Sequence, residues 1–441
     1  MTGAALRRAA AGLAANLALL VAALLAAAVI GEIALRAIYN APLHRGRRMF
    51  VFYQHDPILG WRTKPNARGM YVKDEFAAFL EFNSRGARGP EHAATKAAGA
   101  FRILVLGDSF AEGYTVEFAH LFSELMSREI ASSTGRTCES INCGTTGYST
   151  DQELLLFRET CAAYNPDLTV LLVFDNDVWH NAQAESYERA KPLFRVDADS
   201  LVLTNTPIPA PASWATQGPG QGAGALVAPR AWGARLKARL GDESYLYNRV
   251  RTALQTLRST RRAGRPARDD APREDAALDE AGAGAAAIDE IPGEFRLYET
   301  EARADVSHAW RLTDAILATL ARETRAAGSE LLVFYVPRGE RIRPEHWRAT
   351  ERRYGISRDA WDLSRVAAGL REICARNGIH FIDPTERFVE EDAAARKKGE
   401  RLYYAQDGHW TARGHALAGR LLAAEVAASY LGADLVGPPL R

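Results

Sequence analysis

The sequence predicts an α/β protein with a parallel sheet, preceded by one amino-terminal transmembrane helix. Short apolar runs such as 103–106 alternate with amphipathic stretches of helical spacing, which is the pattern of βαβ units. The run at 168–174 is almost continuously apolar, as expected of a strand buried on both faces. An uncharged stretch from residue 9 to residue 31 exceeds the length of about 20 residues that spans a bilayer.

Residues 1–40 are predicted to form a cytoplasmic stub and a membrane anchor. Arg7 and Arg8 precede the uncharged stretch, and basic residues favour the cytoplasmic side. The rest of the chain would then lie in the periplasm, held to the cytoplasmic membrane by a single pass. Arginines after the stretch weaken this bias, and Ala26-Ala27-Ala28 leaves a cleaved signal peptide as an alternative. A buried soluble helix fits less well because the stretch is apolar on every face.

Composition and charge exclude several classes of function. The 441 residues include 47% hydrophobic and 25% charged side chains, as in ordinary globular proteins. The net charge of +1 gives no electrostatic case for a nucleic-acid partner. No P-loop, Rossmann glycine fingerprint or Cys/His zinc spacing occurs, so we expect neither a cofactor nor a metal. The sequence does not indicate an oligomeric state.

The four cysteines leave disulfide formation open. In an oxidising compartment some of them could pair, and a disulfide between Cys138 and Cys161 is one candidate. Their spacing does not fix a connectivity.

Residues 41–100 are predicted to form a lead-in segment that packs on the catalytic domain. Pro and Gly punctuate DPILGWRTKPNARG and FLEFNSRGARGPE within it, which indicates turns and short strands. Packing over the edge of the sheet is the favoured interpretation, and a lip beside the substrate is the alternative.

The stretch 101–116, FRILVLGDSFAEGYTV, contains the candidate nucleophile. Its strand stops at Gly107-Asp108-Ser109, and ligands bind at the carboxyl edge of open α/β sheets. A serine at this edge can attack a carbonyl while its own backbone N–H helps to hold the resulting oxyanion. The alternative for the tripeptide alone is a polar turn after a strand.

The alternating pattern continues along the chain with one interruption. Helices are predicted over 118–132, 151–163, 304–327, 364–377 and 411–430, and strands over 140–143, 168–174, 331–337 and 378–384. Residues 195–294 are interpreted as an insertion within one α/β domain made of 101–194 and 295–441, with a separate helical subdomain as the alternative. Loop is predicted over 195–233 and a helix over 234–259, and the low-complexity tract 261–291 is expected to be flexible.

His409 is the candidate general base among the 10 histidines. It lies in a polar loop ahead of the last predicted helix, and Asp407 two residues earlier would fix its tautomer and stabilise the imidazolium. Because surface loops often contain Asp-x-His, the pair by itself is weak evidence. Its position before the last predicted helix strengthens the prediction. Other titratable candidates are weaker: packing is favoured for His415 and a structural role for His120, whereas His180 and Asp177 could line the site.

Three groups are candidate oxyanion donors. The backbone N–H groups of Ser109 and Gly147 and the side-chain amide of Asn176 follow three successive predicted strands. The alternatives are a turn glycine for Gly147 and a strand-end cap for Asn176, and Gly144 competes for the second strand end.

Four sequence blocks together resemble the SGNH/GDSL hydrolase superfamily. They are GDSFAEG at 107–113, INCGTTGYST at 141–150, FDND at 174–177 and DGHW at 407–410. The block residues of that superfamily, Ser, Gly, Asn and His, match Ser109, Gly147, Asn176 and His409. The lead-in segment is similar to that of membrane-anchored bacterial members. The resemblance spans about 50–190 and 295–430 and leaves the insertion uncovered.

The resemblance implies a three-layer, flavodoxin-like domain and a serine esterase with the triad Ser109, His409 and Asp407. It implies an acylated carbohydrate, or another small ester, as the substrate. An O-acyltransferase that moves an acetyl group to a polysaccharide hydroxyl is the alternative. A non-catalytic polysaccharide-binding or assembly protein on the same scaffold is a second alternative.

Two positions depart from the usual pattern of the superfamily. Many members have Asp-x-x-His, whereas Asp407-Gly408-His409 followed by Trp410 is similar to the alginate O-acetyltransferase-like branch. Glycine usually precedes the Asn-Asp of the third block, and Asp175 stands there instead. A carboxylate beside an oxyanion hole is unfavourable unless it points away.

Overall fold

The amino-terminal part of the chain contains one long helix and five short strands. The computed structural model describes residues 3–39, 43–45, 51–198, 200–211, 240, 244–251, 254, 291–301, 303–356 and 358–433. The first elements are α1 (Gly3–Tyr39), β1 (Leu43–Arg45), β2 (Tyr53–Asp56), β3 (Gly60–Thr63), β4 (Arg68–Val72) and β5 (Ala77–Glu81). Strands β1, β4 and β5 form one small sheet, and β2 and β3 form another.

The alternating part of the chain follows. Its first half comprises β6 (Phe101–Leu106), α2 (Ser109–Glu112), α3 (Phe122–Thr134), β7 (Cys138–Asn142), α4 (Thr150–Glu159), β8 (Leu168–Val173) and α5 (Asp175–His180). Two hairpins come next, β9 (Glu185–Ser186) with β10 (Arg189–Ala190) and β11 (Phe194–Asp197) with β12 (Ser200–Leu203). The second half comprises α6 (Ala304–Ala326), β13 (Glu330–Tyr335), α7 (Gly339–Ile342), α8 (Pro344–Tyr354), α9 (Arg365–Arg376), β14 (His380–Ile382), α10 (Thr385–Lys397) and α11 (Ala412–Leu431).

Strands β6, β7, β8, β13 and β14 form the central sheet. Their spatial order is β14-β13-β8-β6-β7, and every neighbouring pair is parallel. Numbered by their own sequence order this is 2-1-3-4-5, the flavodoxin-like doubly wound arrangement, and ligands bind where the strand order reverses, beyond the carboxyl ends of the strands. The predicted α/β class with a parallel sheet is therefore confirmed, and the reversal lies at β6 between β7 and β8.

Alternate residues of each strand face two separate cores, which gives three layers. On β6, Leu104 and Leu106 join one core, and Ile103 and Val105 join the other. Helices α4, α6 and α9 contribute to the first core, and α3 and α11 to the second. Both faces of the sheet are thereby buried, which explains why its strands are nearly continuous apolar runs.

The lead-in segment packs against the first core. Phe52, Trp61, Phe76 and Phe82 are all buried there. This packing is the favoured interpretation from the sequence, and the segment also reaches the candidate site, as described below.

Helix α1 is exposed over residues 12–30. Among the described residues, Gly12–Tyr39 is the one helix long and apolar enough to cross a membrane, and its most apolar part is not buried. A membrane anchor and a signal sequence both have these properties. Its carboxyl end contacts the insertion, because Glu32 accepts hydrogen bonds from Ser244 Oγ at 2.8 Å and from the Leu246 backbone N–H at 2.9 Å.

Three details differ from the sequence-based predictions. The helix predicted over 118–132 is interrupted at Leu121, whose backbone is extended, so that a 3₁₀ turn precedes α3. Loop was expected from 195, but the β11–β12 hairpin occupies the start of that stretch because buried Phe194 pairs with Leu203. All four cysteines are free thiols, and Cys161 lies beside Cys143 rather than bonded to Cys138.

Much of the insertion cannot be compared with its predictions. The loop prediction over 212–233, most of the helix predicted over 234–259 and all but Ile291 of the predicted flexible tract lie outside the described residues. Residues 245–251 are helical, in agreement with the central part of the predicted helix.

Candidate active site

Ser109 follows β6 through a tight turn that places it at the carboxyl edge of the sheet. Gly107 has a φ of +144°, and a Cβ there would lie 2.6 Å from the Ala111 Cβ, so the turn requires glycine. The carboxylate of Asp108 accepts a hydrogen bond from the Phe110 backbone N–H at 2.8 Å and so caps α2. Burial raises the pKa of Asp108 to about 6. Ser109 itself is 9% exposed.

The structure brings Ser109 and His409 together across 300 residues of sequence. The Ser109 Oγ lies 2.7 Å from His409 Nε2, a distance that permits direct proton transfer. The Phe110 ring stacks on the imidazole with a centroid separation of 4.5 Å. Behind the imidazole, Nδ1 lies 2.9 Å from Asp407 Oδ1. With Nδ1 donating to that carboxylate, Nε2 is the nitrogen that accepts the Ser109 proton.

Asp407 is held as an anion by its surroundings. Burial favours the neutral acid, but His409, Lys73 and Tyr114 together hold the pKa of Asp407 well below its usual range. The Tyr114 hydroxyl donates to Asp407 at 2.9 Å, and the Lys73 ammonium lies 3.5 Å from the other carboxylate oxygen. The Tyr114 hydroxyl is also 3.0 Å from His409 Nδ1. An ionised carboxylate at this place stabilises an imidazolium.

The loop that carries Asp407 is fastened by Glu75 of the lead-in segment. The Glu75 carboxylate accepts hydrogen bonds from the backbone N–H groups of Ala405 at 2.9 Å, Gln406 at 2.8 Å and Asp407 at 2.8 Å. Charge-assisted bonds of this kind are roughly twice as strong as neutral ones. The lead-in segment thus fixes the position of the loop that carries Asp407 and His409.

Gly147 and Asn176 follow β7 and β8, the strands on either side of β6. Gly147 has a φ of +78°, which glycine adopts readily. The Asn176 side-chain amide donates to the Tyr187 hydroxyl at 2.6 Å. Tyr187 also borders Gly147, because a Cβ at Gly147 would lie 3.4 Å from the tyrosine ring. The two candidate oxyanion residues therefore share one neighbour.

Gly144, the competing glycine of the second strand end, has a packing role. A Cβ at this position would lie 2.3 Å from the backbone nitrogen of Glu112 and 2.5 Å from the carbonyl carbon of Ala111. Backbone atoms cannot move aside, so Gly144 is needed for close approach of its loop to α2. At Gly147 the atoms nearest to such a Cβ are in the rings of Trp61 and Tyr187, at 3.4 Å.

The carboxylate of Asp175 points into the core. It accepts hydrogen bonds from the hydroxyls of Tyr298 and Tyr335, the latter at 2.7 Å, and from Arg338 Nε at 3.1 Å. Its charge is therefore compensated by an arginine and two phenols, and it is directed toward them. A carboxylate that faced the oxyanion hole would count against Asn176 as a donor. Because the Asp175 carboxylate points away, this objection does not apply.

The remaining histidine and aspartate candidates make structural contacts. His415 is buried on α11, with Nε2 3.4 Å from Thr115 Oγ1, and burial lowers its pKa to about 3. Burial likewise lowers the pKa of His180 to about 3, and its Nδ1 lies 3.2 Å from Ser186 Oγ. Asp177 accepts from the Phe174 backbone N–H at 2.8 Å, and His120 is exposed on a 3₁₀ turn. No cluster of metal-ligating side chains occurs among the described residues.

Sequence reasoning missed four residues beside these groups, namely Lys73, Glu75, Tyr114 and Tyr187. Tyr114 lies five positions after Ser109 within the stretch 101–116, so its proximity could have been inferred. The charged turn Lys73-Asp74-Glu75 gave a weaker signal, because nothing local indicates what it contacts. Tyr187 lies in a two-residue turn without glycine and carried no recognisable motif.

One part of the chain matches a family model, and several solved structures are similar to the chain. Residues 295–437 match the family model described as an SGNH hydrolase-like domain, acetyltransferase AlgX. One similar solved structure is the lipase/acylhydrolase from Enterococcus faecalis, with 12% identity over 74% of this chain and 95% of that chain and a TM-score of 0.34. Another is the acetyl xylan esterase AlAXEase, with 13% identity over 73% of this chain and 96% of that chain and a TM-score of 0.34.

A catalytic mutant of an acetylxylan esterase from Geobacillus stearothermophilus is also similar, with 12% identity over 74% of this chain and 94% of that chain and a TM-score of 0.32. No curated protein matches the chain. The family match includes the DGHW block, which is one of the four blocks on which the resemblance was based. The predicted resemblance is confirmed, because residues 295–437 match an SGNH hydrolase-like domain.

Proposed function

We propose that the chain is a serine esterase that hydrolyses acyl esters, principally acetyl esters, through an acyl-enzyme on Ser109. One observation carries this proposal: the Ser109 Oγ lies 2.7 Å from His409 Nε2, with Asp407 2.9 Å behind the same imidazole. A serine, a base and a carboxylate in this order are the recurring constellation of serine hydrolases.

The proposed reaction has two symmetrical halves. His409 takes the Ser109 proton as Oγ attacks the ester carbonyl, and the backbone N–H groups of Ser109 and Gly147 and the Asn176 amide stabilise the tetrahedral oxyanion. The imidazolium then protonates the leaving alcohol, which departs and leaves an acyl-serine. Water, deprotonated by His409, attacks this ester, and collapse of the second oxyanion releases the carboxylic acid and restores Ser109.

We propose an O-acetylated cell-envelope or exported polysaccharide as the substrate. The family description names an acetyltransferase, and two of the similar structures are described as acetylxylan esterases. Anchoring by α1, with the domain in the periplasm, would place the site beside such polymers. The orientation rests on Arg7 and Arg8 before the apolar stretch.

O-acetyl transfer is the second candidate, because the family model that matches residues 295–437 is described as an acetyltransferase. The same acyl-serine would form, and a sugar hydroxyl would replace water in the second half. The two activities differ only in which nucleophile reaches the acyl-enzyme.

Release of acetate from an acetyl ester by the purified chain, with and without an unacetylated oligosaccharide, tests the proposal. We expect hydrolysis that the oligosaccharide does not alter, and no turnover by Ser109→Ala. Appearance of acetylated oligosaccharide with suppressed acetate release would favour transfer. Ester turnover that survives Ser109→Ala would overturn the assignment of the nucleophile.

A further inference from the structure

The β9–β10 hairpin lies against the candidate oxyanion hole. Its turn residue Tyr187 accepts a hydrogen bond from the Asn176 amide at 2.6 Å, and its ring borders Gly147. Next to it, the Ser186 hydroxyl donates to the Gly147 carbonyl at 3.4 Å. The hairpin thus contacts both residues that are proposed to hold the oxyanion beside Ser109.

The base of the hairpin is fixed by a buried ion pair. Lys191, directly after β10, is fully buried against Asp151 and also donates to the carbonyls of His180 at 3.0 Å and Pro192 at 3.1 Å. A buried ammonium with this many partners cannot shift without losing several charge-assisted bonds. The hairpin is therefore a rigid support for its turn.

The turn itself has an unfavourable backbone conformation. Tyr187 and Glu188 have φ values of +54° and +59°, the left-handed region that glycine and asparagine normally occupy in two-residue hairpin turns. A non-glycine residue in this region is strained, and such residues concentrate at functional sites. A tyrosine at this position is consistent with a role for its side chain rather than with ease of turn formation.

The Asn176 amide depends on Tyr187 for its orientation. Its carbonyl oxygen is buried and has no hydrogen-bond partner among the residues that the structure describes, so the bond to Tyr187 is the polar contact that fixes the amide plane. An amide nitrogen has two N–H groups, and Tyr187 accepts only one of them. The other remains available for an oxyanion.

We propose that Tyr187 is a positioning residue, which holds the Asn176 amide so that its second N–H stabilises the oxyanion formed at Ser109. This inference rests on the proposed esterase function. Its consequence is kinetic. Without the phenol hydroxyl the Asn176 amide rotates more freely, which weakens stabilisation of the transition state and leaves substrate binding unchanged.

A double-mutant cycle between Tyr187→Phe and Asn176→Ala tests the proposal on the full chain with p-nitrophenyl acetate. Loss of an oxyanion donor lowers kcat by about 10²–10³-fold, so we expect that effect for Asn176→Ala and about a tenfold fall for Tyr187→Phe. KM should change by less than about twofold in Tyr187→Phe. In the Asn176→Ala background, Tyr187→Phe should have no further effect, because the two residues act through one contact. Glu188→Gln, exposed in the same turn, is the control and should retain the wild-type kcat.

Two results would overturn the proposal. One is a Tyr187→Phe variant with wild-type kcat, and the other is a fall in kcat that persists undiminished in the Asn176→Ala background. Failure of the esterase proposal is distinct, since the wild type would then lack turnover dependent on Ser109. If ester turnover is slow, the rate of phosphonylation of Ser109 by a fluorophosphonate gives the same cycle, because its phosphoryl oxygen must enter the same hole.

Discussion

Single side chains in this molecule have roles that depend on which way they point. Asp175 and Asp407 both lie next to proposed catalytic groups in the sequence, yet only Asp407 contacts His409, at 2.9 Å. Asp175 is turned toward Arg338 and two tyrosine hydroxyls. Because a buried carboxylate needs a cation or several donors, each of the two is stable only in its own set of partners.

His415 gives a prediction about the dependence of stability on pH. Burial, together with the nearby His409 and Arg88, lowers its pKa to about 3, whereas an unfolded histidine has a pKa of about 6.5. Between these values the unfolded chain binds more protons than the folded chain, so stability falls as pH falls below about 6.5. Titration of this one group should make the free energy of unfolding about 2 kcal/mol lower at pH 5 than at pH 7.

The measurement is urea-induced unfolding of the wild type and of His415→Gln at pH 7 and pH 5. Between pH 7 and pH 5 the free energy of unfolding should fall by about 2 kcal/mol more in the wild type than in the variant, because the variant lacks the titrating group. Other buried groups such as Asp108 titrate in both proteins and cancel in the difference. Equal losses in the two proteins would mean that His415 does not contribute to the pH dependence.

At the scale of elements, the lead-in segment is part of the site as well as part of the core. The turn between β4 and β5 carries Lys73 and Glu75, which contact the side chain of Asp407 and the backbone of 405–407 respectively. Phe76 in the same turn packs on Tyr114 and Tyr404 with centroid separations of 5.7 and 5.1 Å. The segment therefore connects the small sheet of β1, β4 and β5 to the loop that carries Asp407 and His409.

Glu75→Gln should lower kcat by roughly 10–100-fold with the fold retained. The amide keeps one acceptor oxygen but loses the charge that strengthens three backbone hydrogen bonds, and a misplacement of about 1 Å at a catalytic group can cost about 100-fold. Steady-state kinetics and thermal unfolding of the variant provide the measurement. Asp74→Asn is the matched control, because Asp74 is exposed and pairs with Arg251 at 2.5 Å. Equal kcat in both variants would contradict the role given to Glu75.

The existence of the strands and long helices could be predicted from sequence because each has a local periodicity. The strands predicted at 103–106 and 168–174 and the helix predicted at 304–327 lie within a few residues of the observed bounds. Contacts between distant segments could not be predicted in this way. The bonds from Glu75 to the loop at 405–407 span at least 330 residues, and the sequence contains no period or spacing that reports them.

The proposed site residues could be predicted from strand order along the sheet rather than from local periodicity. Ser109, Gly147 and Asn176 follow strands that are neighbours in the sheet, so the parallel topology alone brings them to one edge. His409 is predicted from its loop and its sequence block. The distance of 2.7 Å between His409 Nε2 and Ser109 Oγ depends on how α11 packs against α3. The Tyr187 hairpin lies outside the alternating pattern, which is why no sequence argument reached it.

At the scale of the whole molecule, α1 and the insertion are connected to the α/β domain. Tyr39, at the end of α1, stacks on Tyr245 of the insertion with a centroid separation of 5.5 Å, and Arg249 pairs with Glu117 ahead of α3. The helix that we propose as the anchor is therefore held to the domain by side-chain contacts in addition to the chain itself. Such contacts would limit the distance between the site and the membrane.

The most direct test of the central claim is covalent labelling of the full chain by a fluorophosphonate, followed by mass spectrometry of its peptides. A serine activated by His409 and Asp407 should be phosphonylated, so we expect the adduct on Ser109, no adduct in Ser109→Ala, and a large fall in rate in His409→Ala. Absence of an adduct on Ser109 in the folded wild type, or an equal rate in His409→Ala, would contradict the account.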